Sequence, residues 1–291
     1  MSIPIDAAVD RVSRSGLSRS SLDDKPASGL SEHLPSDVDN AYRALAGDPQ
    51  YKHFINIPAR IIQCIDYFGI AGNRELIKDR LQSYYLFIGV IDNALDSTQI
   101  GIGAGVLDCL EARSSTLEET CRQSDVSLVT AVLKCHIHND LMVNELRRLY
   151  REVLRERVAT SIETYMSCRI GVGSLTAELS YWLIQPLLKD ESNSLCEFMK
   201  QVGAVGCLID SLIDLRSDHR FGLLAFTPVA RDYLRLLLNT FRRGFGLSIR
   251  HPSLCLLFCQ AIRDNLRDPR DYIRIDRQST ANQKDRAASV A

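Results

Sequence analysis

Apolar residues recur at the three- and four-residue spacing of a helix face through most of this chain. The pattern predicts helices at about 56–68, 74–96, 126–157, 160–169, 175–188, 193–218, 229–245 and 253–266. Gly-, Pro- and Ser-rich breaks at 69–73, 190–192, 222–228 and 244–252 punctuate them. No stretch alternates residue by residue as a half-buried strand does, and no internal repeat is visible. The expectation is an all-α, single-domain bundle of eight or more helices.

The two ends depart from this pattern. Residues 1–47 are rich in Ser, Asp, Arg and Pro and lack the apolar core of a signal peptide, so they read as a disordered lead-in. Residues 269–291 read as a polar tail, which leaves 48–268 as the helical domain. With 45% apolar residues and a net charge of −1, that domain has enough material for a sizeable core. No apolar run reaches the roughly 18 residues of a membrane span. Lys and Arg are scattered rather than gathered in a stripe with aromatics, which argues against nucleic acid as partner. Nothing in the sequence fixes the oligomeric state, and a homodimer is compatible with it.

Nine cysteines are dispersed without Cys-x-x-Cys spacing. Several, such as Cys207, Cys255 and Cys259, lie in apolar helical segments, as reduced core residues of a cytoplasmic protein do. Cys135-His136-Ile137-His138 lacks a second half at zinc spacing. Gly101-Ile102-Gly103-Ala104-Gly105 has the wrong spacing for a phosphate loop and no strand before it, and reads as a flexible hinge.

The acids carry the chemistry. Of 24 Asp, five pairs stand four apart, where chance gives roughly two. Asp6/Asp10 and Asp264/Asp268 lie in polar sequence. Asp92/Asp96 follows the apolar run Tyr84 to Ile91, and Asp210, Asp214 and Asp218 follow the run Val202 to Ile209. Four residues apart on a helix is one face, about 6 Å along the axis, so each motif is a column of carboxylates. Such columns are self-repelling, and costlier when partly buried. Two resolutions exist. Arg or Lys side chains can neutralise the acids as structural bridges, or hard cations such as Mg²⁺ can bind them together with a diphosphate. Below the acids, Gly203, Gly206 and Cys207 on one helix and Tyr85, Ile88 and Gly89 on the other suggest a space between them. Tyr165, Arg169 and Gly173 share one further face. Arg169 is the candidate diphosphate ligand because a guanidinium binds phosphate bidentately, and Arg216 and Arg220 beside the last acids are weaker candidates.

The helix from Tyr84 to Asp96 and the stretch from Asp210 through Gly222 to Pro228 resemble the two aspartate-rich motifs of the class I isoprenoid synthase superfamily, closest to its squalene and phytoene synthase branch. The resemblance spans about residues 50–265, with specificity confined to the two motifs. It implies an isoprenoid-synthase bundle with a central active-site cavity and Mg²⁺ as cofactor, three ions in all, with Mn²⁺ as a substitute. The implied substrate is a C10 to C20 allylic prenyl diphosphate.

Gly89, Cys207 and Ile213 stand where the head-to-head condensing branch carries Arg, Gln and Arg. Asp210 stands where it carries Asn. Arg169, some forty residues before a three-acid motif, resembles the diphosphate-sensing Arg of terpene cyclases. The resemblance therefore implies a one-substrate terpene synthase, with head-to-head condensation as the alternative. Asp92, Asp96, Asp210, Asp214 and Asp218 would hold metal, Arg169, Arg216 and Arg220 the diphosphate. Tyr85 and Tyr165 would face the carbocation, and Tyr85, Ile88, Gly89, Gly173, Gly203, Gly206 and Cys207 would line the pocket. A non-catalytic helical binding protein with structural acids is the reading from a different class.

Overall fold

A computed structural model describes residues 36–96, 102–111, 124–137 and 140–252. Among these, nine α-helices follow one another: α1 (Ser36–Ala46), α2 (Lys52–Tyr67), α3 (Arg74–Asp96), α4 (Ile102–Glu111), α5 (Asp125–Lys134), α6 (Asp140–Arg157), α7 (Ile162–Ile184), α8 (Asn193–Arg220) and α9 (Ala230–Arg250). The only pairing of extended backbone among the described residues is an isolated bridge between Gly72 and Leu188. No described helix is long and apolar enough to cross a membrane.

Local chemistry sets the ends. Ser124, Ser161 and Ser192 each accept a hydrogen bond from the backbone N–H three residues on, opening α5, α7 and α8. Asp232 opens α9 by accepting from the Val229 N–H at 3.0 Å. Gly69 and Gly222 take φ of +66° and +72°, and each closes a helix with paired reverse bonds. The bonds are Ile70 N–H to Ile65 O and Gly69 N–H to Asp66 O for α2, and Leu223 N–H to Asp218 O and Gly222 N–H to His219 O for α8.

The main core gathers α2, α3, α6, α7 and the start of α8 around Ile65, Ile77, Leu81, Leu86, Leu183 and Leu195, all fully buried. The hydroxyls of Tyr84 and Tyr85 pin α3 to α7: the first donates to the Thr176 carbonyl at 3.2 Å, and the second accepts from Ser180 at 3.0 Å. The most intimate contact is between α7 and α8, which cross at Gly173 and Gly203. A Cβ on Gly173 would overlap the Gly203 carbonyl, and a Cβ on Gly203 the Gly173 carbonyl.

Several sequence expectations change here. The segments 160–169 and 175–188 form one helix, Ile162–Ile184, in which Gly173 is used for close packing. The segment 126–157 is two helices, ending at Lys134 and restarting at Asp140. The break at 244–252 begins later, since α9 runs through Gly244 and Gly246 to Arg250. α2 starts at Lys52 and carries the buried Pro58 within it, so this proline does not mark the first turn. The Gly-rich hinge is helical over its described part, with Gly103 buried under the Tyr150 ring in α4. The last residues of the polar lead-in form α1, whose Val38 is buried against Leu128 and Val132. The segment 253–266 lies outside the described residues.

Substituting Ala at Gly173 or Gly203 should force two backbones apart, because the obstacle is a carbonyl and not a flexible side chain. The cost of such overpacking, about 1–3 kcal/mol, exceeds the roughly 1 kcal/mol of helix propensity that Ala adds. Urea unfolding should show a lower midpoint for either variant, whereas Gly105→Ala, with open space at its Cβ, should be neutral or stabilising.

Candidate functional site

The Gly173–Gly203 crossing decides what lies one and two turns away. Arg169, one turn before Gly173 on α7, is brought against the turn of α8 that carries Cys207, Asp210 and Ser211. Its Nε donates to Ser211 Oγ at 2.9 Å and its Nη2 to the Cys207 carbonyl at 3.3 Å. The remaining edge faces acids: Nη1 lies 3.4 Å from Glu156 Oε1, and Nη2 lies 3.9 Å from Asp210 Oδ2. Burial is the largest single influence on Arg169 and works against its charge, but its neighbours together, Glu156 first, outweigh burial and hold the guanidinium charged more firmly than usual. Tyr165 donates to Ser211 Oγ at 3.3 Å and its ring packs near Phe226. Ser211 therefore accepts from both Tyr165 and Arg169 while donating to the Cys207 carbonyl at 2.8 Å.

Asp92, near the end of α3, enters the same hollow from the other side, where its electrostatic neighbours are Arg169, Glu156, Asp210 and Arg157. Water reaches its carboxylate, yet protein surrounds it on most sides, the environment of a recessed group rather than a surface one. Desolvation pushes its pKa from 3.8 to about 6; among its neighbours Arg169 acts most strongly and opposes the rise, while Glu156 and Asp210 add to it. Asp214 is raised to about 6 as well, by desolvation and then by Asp210 and Asp218, with Arg169 and His53 opposing. Burial and the nearby acids push the Cys207 thiol up to about 12, so it stays protonated and is no nucleophile.

Asp92 of the first column and Asp210 and Asp214 of the second are thus within electrostatic reach of Arg169, and among the described residues Asp218, Glu156, Arg157 and His53 add to the same field. The helical position of Asp96 is described, but its side chain is not. Arg216 and Arg220 are exposed near the end of α8 and are not drawn in beside Arg169. Sequence reasoning missed Glu156 and Ser211. Glu156 sits in the charged run Arg155-Glu156-Arg157, which looks like a solvated helix end. Ser211 did leave a trace, one turn beyond Cys207 on the apolar face of α8.

The pocket differs from expectation. Gly89 lies beneath the Phe54 ring, where a Cβ would come within 2.6 Å of ring carbon, so its face is filled. Gly173 and Gly203 serve the helix crossing, and Tyr85 is a buried core residue bonded to Ser180. Gly206 alone of these glycines opens to space, beside the acids. The apolar cavity lies instead among α3, α4, α6 and α7. Ile88, Ile91, Leu107, Leu146, Tyr150 and Val172 line it, and Asp92 stands at its rim. It holds about 100 Å³, below the roughly 300–1,000 Å³ of ordinary ligand pockets.

Among the described residues no three His, Cys, Asp or Glu side chains are gathered to hold a metal ion by themselves. The donors nevertheless suit Mg²⁺, which takes oxygen ligands and is usually held by one or two carboxylates with waters and substrate phosphates completing the shell. Burial first, with the neighbouring acids adding to it, raises the carboxyls of Asp92 and Asp214 to about 6. No family model matches the chain, and the comparisons with curated proteins and with solved structures likewise give no match.

Because Asp92 and Asp214 bind a proton more tightly folded than unfolded, their contribution to stability falls as pH rises from about 4 to about 6 and is restored on acidification. In metal-free buffer, Asp92→Asn and Asp214→Asn should each flatten that decline and raise the melting temperature at pH 7. A melting temperature lowered at pH 7 would make these acids structural counter-ions.

Proposed function

We propose that the chain is a Mg²⁺-dependent class I terpene synthase that ionises an allylic prenyl diphosphate and cyclises or rearranges the cation. The observation that carries this reading is the cluster of acids, Asp92, Asp210, Asp214 and Glu156, that act on one another electrostatically around Arg169. A diphosphate repelled by such a surface is accepted only together with cations, and cations are what the surface lacks. Asp92 and Asp96 would hold Mg²⁺ on one side, and Asp210, Asp214 and Asp218 on the other. When bound, the ions would supply Lewis-acid stabilisation of the charge that grows on the leaving group.

The protein's own residues do the rest. Arg169 turns its fork from Glu156 and Asp210 to the diphosphate oxygens, while its Nε stays anchored on Ser211 and fixes the angle of approach. The allylic C–O bond breaks with its electron pair leaving on the diphosphate, and the prenyl carbon is left as the cation. Loss of a proton from the rearranged cation, or capture of water, completes the balance. Tyr165 is buried in the packing between α7 and α8 with its ring against Phe226, so its part is to hold Ser211 in place for Arg169 and not to face the cation. The apolar cavity at the rim of Asp92 is the receptacle for the tail. At about 100 Å³ it must widen for ten or more carbons, most directly by movement of the Tyr150 ring off Gly103.

Purified protein incubated with Mg²⁺ and, separately, C10, C15 and C20 diphosphates should release pyrophosphate and a hydrocarbon or alcohol of unchanged carbon number, read by mass spectrometry. A product of doubled carbon number selects condensation. No pyrophosphate from any substrate, together with a melting temperature unmoved by Mg²⁺ plus pyrophosphate, selects the non-catalytic binding protein. Arg169→Lys keeps the charge but loses the fork, and should lower turnover by about tenfold or more, corresponding to at least one charge-assisted hydrogen bond of about 1.5–3 kcal/mol.

A further inference from the structure

Helix α9 has two apolar faces. One, with Leu236, Thr240 and Leu247, is buried against the body of the protein. The other carries Leu234, Leu237, Leu238, Phe241, Phe245 and Ile249, all more than half exposed, with Phe241 at 67% and Ile249 at 64%. Phe241 and Phe245 stack with ring centroids 5.8 Å apart. Scattered exposed apolar residues are ordinary, but a continuous stripe of large ones along a single helix marks an interaction surface. Among the described residues nothing covers it.

The charges of α9 are as one-sided as its apolar residues. The helix holds five arginines against one acid, Asp232. Arg235, Arg243 and Arg250 are engaged, with Glu163, the Asn239 side chain and the Gly246 carbonyl. Arg231 and Arg242 are exposed and have no partner among the described residues. At about 100° per residue both fall along one border of the stripe. Arg242 stands four residues after Leu238 and three before Phe245, and Arg231 stands three before Leu234, so each is a direct neighbour of the exposed apolar side chains.

We propose that this face docks on an anionic phospholipid surface, with α9 lying along the membrane, its apolar stripe in the boundary between headgroups and acyl chains, and Arg231 and Arg242 on lipid phosphates. Large apolar side chains bordered by arginines on one 21-residue helix are the composition of a helix that lies in such a boundary. No described helix can cross a bilayer, so the attachment is to its surface. A second copy seated on the same face would meet the two arginines with no acid. Asp232 points away from the stripe and holds the Val229 N–H at 3.0 Å. The stripe is also a ridge, to which a fluid bilayer moulds, whereas a folded partner would have to supply a matching groove. This inference is independent of the diphosphate reading.

The test is sedimentation of the full chain with vesicles of phosphatidylcholine alone and of phosphatidylcholine and phosphatidylglycerol in equal parts. The chain should sediment with the anionic vesicles and much less with the neutral ones. Arg231→Gln together with Arg242→Gln should weaken that binding by about fivefold per arginine, roughly 25-fold for the pair. Phe241→Ser together with Phe245→Ser should abolish it at an unchanged melting temperature, since both rings are exposed. If the phenylalanine pair impairs folding, the arginine pair carries the test, because it leaves the apolar residues in place. Absence of binding to anionic vesicles overturns the proposal, as does binding that neither pair of substitutions weakens. A dimer in sedimentation velocity that the phenylalanine pair dissociates assigns the face to a second copy and overturns it too.

Discussion

Two carbonyl oxygens set the geometry of the candidate site. Where α7 and α8 cross, the backbone at Gly173 touches the backbone at Gly203, and no residue with a side chain fits at either position. Helices separated by ordinary side chains stand about 8–10 Å apart, and at that distance Arg169 would need its full length merely to reach α8. The close approach instead lets its Nε rest on Ser211 and its Nη2 on the Cys207 carbonyl, with the outer edge of the guanidinium turned toward acids. The glycines therefore act on the electrostatics from a turn away.

That arrangement stores an imbalance. Among the described residues acids outnumber guanidiniums around Arg169, and burial first, with neighbouring acids adding to it, raises the carboxyls of Asp92 and Asp214 to about 6. A purely structural network would be expected to pair its charges, since a buried acid without a partner is costly. Arg169 is the strongest opposing charge on Asp92, yet it also pairs with Glu156 at 3.4 Å, so one guanidinium is shared among several acids.

The sequence made the helices of the centre legible because their apolar periodicity is strong: α3 runs over the predicted residues 74–96, and the acids fall at the ends of α3 and α8 as expected. What it misread were glycines. A glycine in a helical segment signals a break, a void or a close approach, and only the facing helix tells which. Gly89, Gly173 and Gly203 suggested a void and Gly103 a hinge; the structure uses Gly173 and Gly203 for backbone contact and Gly89 and Gly103 as seats for the rings of Phe54 and Tyr150. Glu156 was invisible for a different reason. Its role depends on α6 lying beside α7, a tertiary fact that a charged run at a helix end does not encode.

The helix ends add a contribution from the main chain itself. α3 runs out at Asp96, and α8 closes at Gly222 with the Asp218 carbonyl held by Leu223. Both acidic motifs thus end in the last turn of their helices, where aligned peptide dipoles leave about half a negative charge. Asp96 and Asp218 occupy the positions at which a carboxylate is least welcome to its own helix, whereas the same residues at the opposite terminus would have been favourable. Placement along the helix therefore deepens the negative potential beyond what the side chains provide, and an arriving cation meets the backbone of two helices as well as their aspartates.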